Sequence, residues 1–261
     1  MRNLLLTISF DGTAYCGFQV QRNAVSVAQC VQDAIERVTG VRSDIKGCSR
    51  TDAGVHANMF CISFRTDTPM SCDRLRRALD AVLPDDIAAN SVEEVPDDFH
   101  ARYSCAAKRY VYKIWNSSAK SPFYRGLALH YPRPLDAVLM DRAAAHFKGT
   151  HDFAGFCSSG SSVGDTVRTI YECHVVRSGE LVTLSITGDG FLYNMVRIIA
   201  GTLIAVSEGK LAPEDIPAVI ASRDRGRAGD TARPHGLYLD RVYYSLPPEL
   251  AAMQRQTIYT R

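Results

Sequence analysis

No apolar run in this 261-residue chain approaches the roughly 20 residues that a membrane-spanning helix requires. Its start, MRNLLLTISFDG, has only a short apolar stretch before polar residues, which is not the pattern of a signal peptide, so a cytoplasmic location is expected. Its eight cysteines (Cys16, Cys30, Cys48, Cys61, Cys72, Cys105, Cys157 and Cys173) include no C-x-x-C pair. They read as free, mostly buried thiols, and no structural metal is expected. The segment GDGFL lacks the Gly-Lys-Ser/Thr ending of a phosphate cradle. The Ser- and Gly-rich FCSSGSSVGD holds no G-x-S-x-G elbow and reads as a mobile loop. Net charge is small too: +2 gives no global case for a nucleic-acid partner.

The bulk composition, 46% hydrophobic and 22% charged, is that of a globular protein. Its length suits one large domain or two lobes of ordinary size. The charges are unevenly placed. From Phe99 to Leu135 there is no Asp or Glu, while Arg102, Lys108, Arg109, Lys113, Lys120, Arg125 and Arg133 all fall inside. A second basic cluster holds Arg223, Arg225, Arg227 and Arg233. Basic residues interleaved with Tyr103, Tyr110, Tyr112, Trp115 and Tyr124 suit a surface that contacts phosphates and stacks bases, though a solvated basic face has the same composition.

Periodicity predicts the elements. NLLLTISF puts Leu4, Leu6, Ile8 and Phe10 on one face of a half-buried strand that ends at Asp11-Gly12. Ser26 opens a capping box with Gln29, Val25 can staple onto Cys30, and Val27, Val31, Ala34, Ile35 and Val38 form the helix stripe. MFCISF alternates as a strand; Ser71 caps a helix with Leu75, Ala78, Leu79 and Val82; a strand follows from Ile87 to Val95. A second lobe opens with the strand KRYVYKIWN and a helix over about 136 to 147, with Leu139, Ala143 and Phe147 inward. A hairpin turning at Ser178-Gly179 comes next, then helices over about Phe191 to Val206 and Glu214 to Ser222, and a last strand LYLDRVYY. This order predicts an α+β protein with two ferredoxin-like (RRM-like) lobes, 1–104 and 105–246, and a tail over 247–261. Their sheets would run on edge to edge as one mainly antiparallel sheet, with helices on one face and a central cleft.

Several positions are candidates for chemistry, each with a structural alternative. Asp52, in GCSRTDAGVHA, is followed by Ala-Gly, which is ordinary turn chemistry as well as a possible reactive carboxylate. His56 reads as a loop or strand-entry residue, because no second ligand has metal spacing. Arg197 sits in FLYNMVRIIAGTLIAV, apolar nearly all round, where a buried guanidinium needs an anion or must snorkel past Tyr193 and Gly201. Asp189 is better placed as a turn or cap residue. Tyr110 and Tyr112 share one strand face, so one is expected in the core, with Lys108 and Arg109 at the strand entry in reach of phosphates.

RTDAGVHA resembles the signature loop of the tRNA pseudouridine synthase A family. So do FDGTAYCGFQ, FHARYSCAAKRYVYKI, FLYNMVRIIAGTL and RDRGRAGDTARPHGLYL, spread in the family's order over nearly the whole chain. The resemblance implies a homodimeric isomerase that converts uridine to pseudouridine at positions 38, 39 and 40 of the tRNA anticodon stem-loop, without cofactor or metal. It implies Asp52 as nucleophile, Tyr110 as the residue stacking on the target base and Arg197 as the partner of Asp52. Arg50 would help hold the flipped base, with Arg102, Lys108, Arg109 and His56 as further substrate contacts. Extruding a stacked uridine costs a few kcal/mol, and stacking on Tyr110 would return about 1–3 kcal/mol of it. A desolvated carboxylate tends to protonate, and Arg197 would oppose that. Two positions depart from the family pattern: Ser49, preceded by Cys48, replaces the usual Gly before the loop Arg, and Val20 replaces a basic residue, with Arg22 nearby. The residues taken alone also fit a non-catalytic RNA-binding protein, or an Asp-nucleophile hydrolase of small nucleosides, which leaves the basic segments without a use.

Overall fold

The computed structural model describes residues 1–160, 163–248 and 250–251. Part of the predicted Ser/Gly loop (161–162) and most of the predicted tail lie outside the described residues. In chain order the elements are β1 (Arg2–Phe10), α1 (Val27–Thr39), β2 (Ile45–Gly47), β3 (His56–Thr66), α2 (Cys72–Asp80), β4 (Ile87–Val95), β5 (Ala107–Trp115), β6 (Leu129–His130), α3 (Ala137–Ala145), β7 (Gly149–Asp152), β8 (Val167–Ser178), β9 (Leu181–Gly188), α4 (Met195–Ser207), α5 (Ile216–Ser222) and β10 (Leu237–Tyr243). The architecture is mixed α+β and mainly antiparallel. Among the described residues no helix is long and apolar enough to cross a membrane.

The chain forms two compact units. The first comprises Met1–Ala106 and Tyr238–Tyr244, the second Ala107–Leu237 and residues after Tyr244. The last strand, predicted within the second lobe, therefore lies in the first unit. In the first unit the strands run in the order β4-β1-β3-β10, with β2 on β3. Pairing is antiparallel except for β10, which lies parallel to β3 with Tyr238 opposite His56 and Leu239 opposite Ala57. β1 is flanked on both edges and buries Leu5 and Thr7 as well as the predicted Leu4, Leu6, Ile8 and Phe10. Its alternation is thus weaker in burial than in sequence, because both faces of a central strand are covered. β3 likewise buries Cys61 and Ser63 besides Phe60, Ile62 and Phe64.

Local signals set the helices of this unit. Ser26 is wholly buried and its hydroxyl accepts from Gln29 N at 3.3 Å, the predicted N-cap of α1. Val25, predicted to staple onto Cys30, is 55% exposed. Val27, Val31, Ala34 and Ile35 face the core. Ser71 caps α2 in the same way through Arg74 N at 3.3 Å, and Leu75 and Leu79 are buried; beyond the helix, Leu83 fills the core while Val82 is half-buried.

In the second unit the order is β5-β9-β8-β7, all antiparallel, with β6 parallel to β5. Asp136 caps α3 by accepting from Leu139 N at 2.9 Å. The predicted Ala143 and Phe147 are buried, together with Met140 and Ala144, while the predicted Leu139 lies at the margin of the inward face. The β8–β9 hairpin pairs Ser178 with Leu181, so the loop is Gly179-Glu180, one residue later than predicted. α4 begins at Met195, later than predicted, because Asn194 takes a left-handed φ of 61° and breaks the helical path.

The α1 cap gives a direct prediction. Ser26→Ala should cost about 1 kcal/mol, and up to about 2 kcal/mol because the site is buried. Denaturant unfolding should show a lower midpoint with an unchanged slope.

Candidate active site

The segment Gly47–Ala57 connects β2 to β3 in the first unit, and it is held by a second segment, Asp11–Phe18, between β1 and α1. Phe18 N donates to Thr51 O at 3.2 Å, and Gly54 N donates to Tyr15 O at 3.2 Å. Within the loop, Val55 N donates to Asp52 O at 3.2 Å, closing a turn in which Gly54 has φ of 74°. Asp52 thus does occupy a turn, as its Ala-Gly context suggests. It is also half-buried, with the peptide groups on both sides of it fixed.

Two glycines permit this close approach. A Cβ on Gly12 would lie 2.0 Å from Val55 O, and one on Gly17 would lie 2.3 Å from Thr51 O. Gly17 also has φ of 89°, a conformation L side chains rarely adopt. The clasping segment is tied down in turn. Val27 N and Ala28 N at the start of α1 donate to Gly17 O and Phe18 O at 3.2 and 2.9 Å, and Cys16 N donates to Val25 O at 3.0 Å. Asp11 N donates to Asp86 O at 2.9 Å, and the Tyr15 hydroxyl donates to the Asp86 carboxylate. Burial, and then that carboxylate, push the Tyr15 hydroxyl well above its ordinary pKa, so it stays a donor. Under the loop, Phe18 stacks on Phe60 with centroids 4.3 Å apart. Cys48 is buried; its Sγ accepts from Cys61 N at 3.3 Å, while its own amide donates to Cys61 O at 2.8 Å. Burial raises the Cys61 thiol to about 11, which keeps it protonated and inert.

His56 opens β3 and is buried, 1% exposed. Its Nδ1 accepts from Gly12 N at 3.0 Å, its ring stacks on Tyr238 at 4.6 Å, and an Asp11 carboxylate oxygen lies 3.1 Å from the same Nδ1. Any part it takes in substrate handling therefore runs through protein groups. Burial pulls the Asp11 pKa upward, but bonds from the Thr13 hydroxyl (2.6 Å) and amide (2.9 Å) outweigh it and leave it lowered. Arg50 is exposed on the same loop, as is Arg102 further along this unit, beside the exposed Tyr103. Val20 and Arg22 are both exposed.

The second unit carries the other candidates. Tyr110 and Tyr112 are both buried on β5. Tyr112 is the core aromatic: it is fully buried and its hydroxyl donates to Arg233 O at 2.7 Å. Tyr110 meets Phe191 edge-on at 5.0 Å. Lys108 is half-buried, and Arg109 donates to Thr187 Oγ1 and Glu172 Oε2, both at 3.2 Å, so its charge is balanced inside the sheet. Arg197 is half-buried on α4, with Nε donating to Ala232 O at 2.7 Å and Nη1 to Asn194 Oδ1 at 2.6 Å. Asp189 does act as a turn residue, accepting from Thr169 N at 3.0 Å. Among the described residues no cluster of His, Cys, Asp and Glu could hold a metal ion.

Sequence reasoning named the loop that carries Asp52 but missed Gly12, Tyr15 and Gly17, which fix it. The available signal was the quoted FDGTAYCGFQ, with two glycines that no helix or strand requires.

Comparison with known proteins places these segments in a family context. The family model described as tRNA pseudouridine synthase matches residues 6–104 and 143–245. A tRNA pseudouridine synthase A of Acetivibrio thermocellus is 49% identical over 244 residues, covering 94% of this chain and 100% of the relative. Its counterpart in Ruminiclostridium cellulolyticum is 46% identical over 245 residues, with the same coverage of 94% and 100%. A third, from Thermoanaerobacter sp., is 44% identical over 244 residues.

Two predictions follow from the clasp itself. Gly17→Ala should destabilise the chain by about 1–3 kcal/mol from backbone strain alone, seen as a lower unfolding midpoint. Because the folded pKa of Asp11 is lowered, its contribution is fully present above the ordinary carboxylate range and disappears as pH falls through the folded value. The unfolding midpoint measured between about pH 5 and pH 2 should fall less steeply for Asp11→Asn than for the parent.

Proposed function

The chain belongs to the tRNA pseudouridine synthase family, a family of isomerases, and on that premise we propose that it converts uridine to pseudouridine at positions 38, 39 and 40 of the tRNA anticodon stem-loop, with Asp52 as the nucleophile. In this reaction the bond from ribose C1′ to uracil N1 breaks and a bond from C1′ to C5 forms. C5 releases a proton and N1 takes one up. Nothing is oxidised or reduced, so a carboxylate nucleophile suffices and no cofactor or metal enters the proposal.

One observation carries the reading. Asp52 is a half-buried carboxylate on a loop whose peptide groups are pinned by Phe18 and by its own turn. A reacting group so held loses little entropy on reaching the transition state. Tyr110 is proposed to stack on the extruded base, Arg50 to hold it out of the stem, and Arg197 to keep Asp52 ionised. Arg102, Lys108 and Arg109 are proposed as phosphate contacts, Arg109 on releasing Glu172. The proposal includes two ferredoxin-like (RRM-like) lobes joined through one sheet beside a central cleft, a homodimer, and action in the cytoplasm.

Tritium release from tRNA labelled at uridine C5 provides the test. Asp52→Asn should abolish release while tRNA binding persists; retained turnover removes Asp52 as nucleophile. If the wild-type chain binds tRNA yet leaves it without carbodiimide-reactive pseudouridine, the chain only binds RNA. Arg197→Ala should lose activity, because the half-buried Asp52 carboxylate would lose the guanidinium proposed to keep it ionised. A stable and fully active variant would remove Arg197 from the site.

A further inference from the structure

We propose that His56 is the positioning residue that fixes where Asp52 stands, acting as a neutral imidazole whose Nδ1 holds the buried amide of Gly12. The inference deepens the isomerase reading and rests on it.

The proton inventory at this ring is constrained. Nδ1 lies 3.0 Å from Gly12 N and 3.1 Å from an Asp11 carboxylate oxygen, and one nitrogen cannot accept from the first while donating to the second. The Gly12 amide can only donate. The Asp11 oxygen already accepts from the Thr13 amide and hydroxyl at 2.9 and 2.6 Å. Nδ1 is therefore the unprotonated acceptor and the proton sits on Nε2. The ring's plane is set by Tyr238, stacked at 4.6 Å with an interplanar angle of 25°, in the parallel register that places Tyr238 opposite His56.

The mechanical consequence lies four residues upstream. Among the described residues, the segment Gly12–Phe18 fastens onto the Asp52 loop at Gly12 to His56, at Tyr15 to Gly54 and at Phe18 to Thr51. The last two are backbone-to-backbone bonds that no side-chain substitution removes. The first depends on an imidazole. Gly12 also leaves the least room for a side chain in the clasp: an added Cβ would lie 2.0 Å from Val55 O, against 2.3 Å from Thr51 O at Gly17. Without the ring acceptor, a buried amide loses its partner at the tightest contact in the clasp, and the cheapest relief is for Gly12 and Val55 to separate. Val55 N carries the bond that closes the Asp52 turn, so that separation shifts the carboxylate. Displacement of a reacting group by about 1 Å is enough to lower a rate by about a hundredfold.

Steady-state kinetics on an anticodon stem-loop substrate separate this role from others. His56→Leu should lower kcat by about tenfold to a hundredfold while KM changes by less than about threefold. His56→Asn, whose Oδ1 falls near the position of Nδ1 and can accept from Gly12, should recover most of kcat. His56→Gln, whose carboxamide falls near Nε2, should stay as slow as the Leu variant. Recovery by Gln equal to that by Asn overturns the proposal, as does wild-type kcat in the Leu variant. A rise in KM with unchanged kcat also overturns it, because it would mean that the ring touches RNA. Should the Leu variant fail to fold, the Asn and Gln comparison decides alone. A wild-type chain that releases no tritium ends the isomerase reading and this inference with it, whereas an active wild type with indifferent His56 variants ends this inference alone.

Discussion

The contact of two backbones without an intervening side chain, Gly12 on Val55 and Gly17 on Thr51, governs the first unit. Each hydrogen bond across that contact contributes a net ~1 kcal/mol, but leaving its donor buried and unpaired costs ~1–3 kcal/mol. The asymmetry makes the clasp a unit that is closed or badly disrupted, with little between. Its supports are correspondingly generous: the first amides of α1 hold Gly17 and Phe18, the Asp86 carbonyl and carboxylate hold Asp11 and Tyr15, and Phe18 lies flat on Phe60. A carboxylate carried on such a loop is aimed by peptide geometry more than by its own side-chain rotamers.

Basic charge, by contrast, is less available than its abundance in sequence suggests. Arg109 is balanced by Glu172, and Arg223 lies 3.0 Å from Asp152. Arg225 folds back onto its own loop, donating to Gly229 O at 2.9 Å and Thr231 Oγ1 at 3.0 Å. Arg50, Arg102, Arg227 and Arg233 remain exposed. Only cations free to shed counterions steepen the salt dependence of RNA binding, so a count of arginines overstates it.

How far sequence revealed the structure depended on how local each cause was. Ser26, Ser71 and Asp136 announced their helices because an N-cap acts within three residues of itself. At α3 the predicted Ala143 and Phe147 are buried, but Met140 and Ala144 join them in place of Leu139, because the helix packs on both β8 and α4, which its own pattern does not encode. Asn194 looked like helix interior, yet its left-handed φ delays α4, a choice made by tertiary context over propensity. The Asp52 loop was legible through its likeness to a known motif. Its clamp was not, because what matters at Gly12 and Gly17 is an absent side chain facing a segment about 40 residues away, and absence has no periodicity.

The parallel pairing of β10 with β3 has a consequence for how the molecule is made. Asn58 and Asp240 bond across it at 2.8 Å at a sequence separation of 182. Closing so long a span carries a large entropic cost, and pairings of this separation form late in folding. On the ribosome, the strand that presents Tyr238 to the His56 ring emerges long after β3. Until that strand is in place, the His56 ring beside the Asp52 loop lacks its stacking partner, however well the earlier parts have folded.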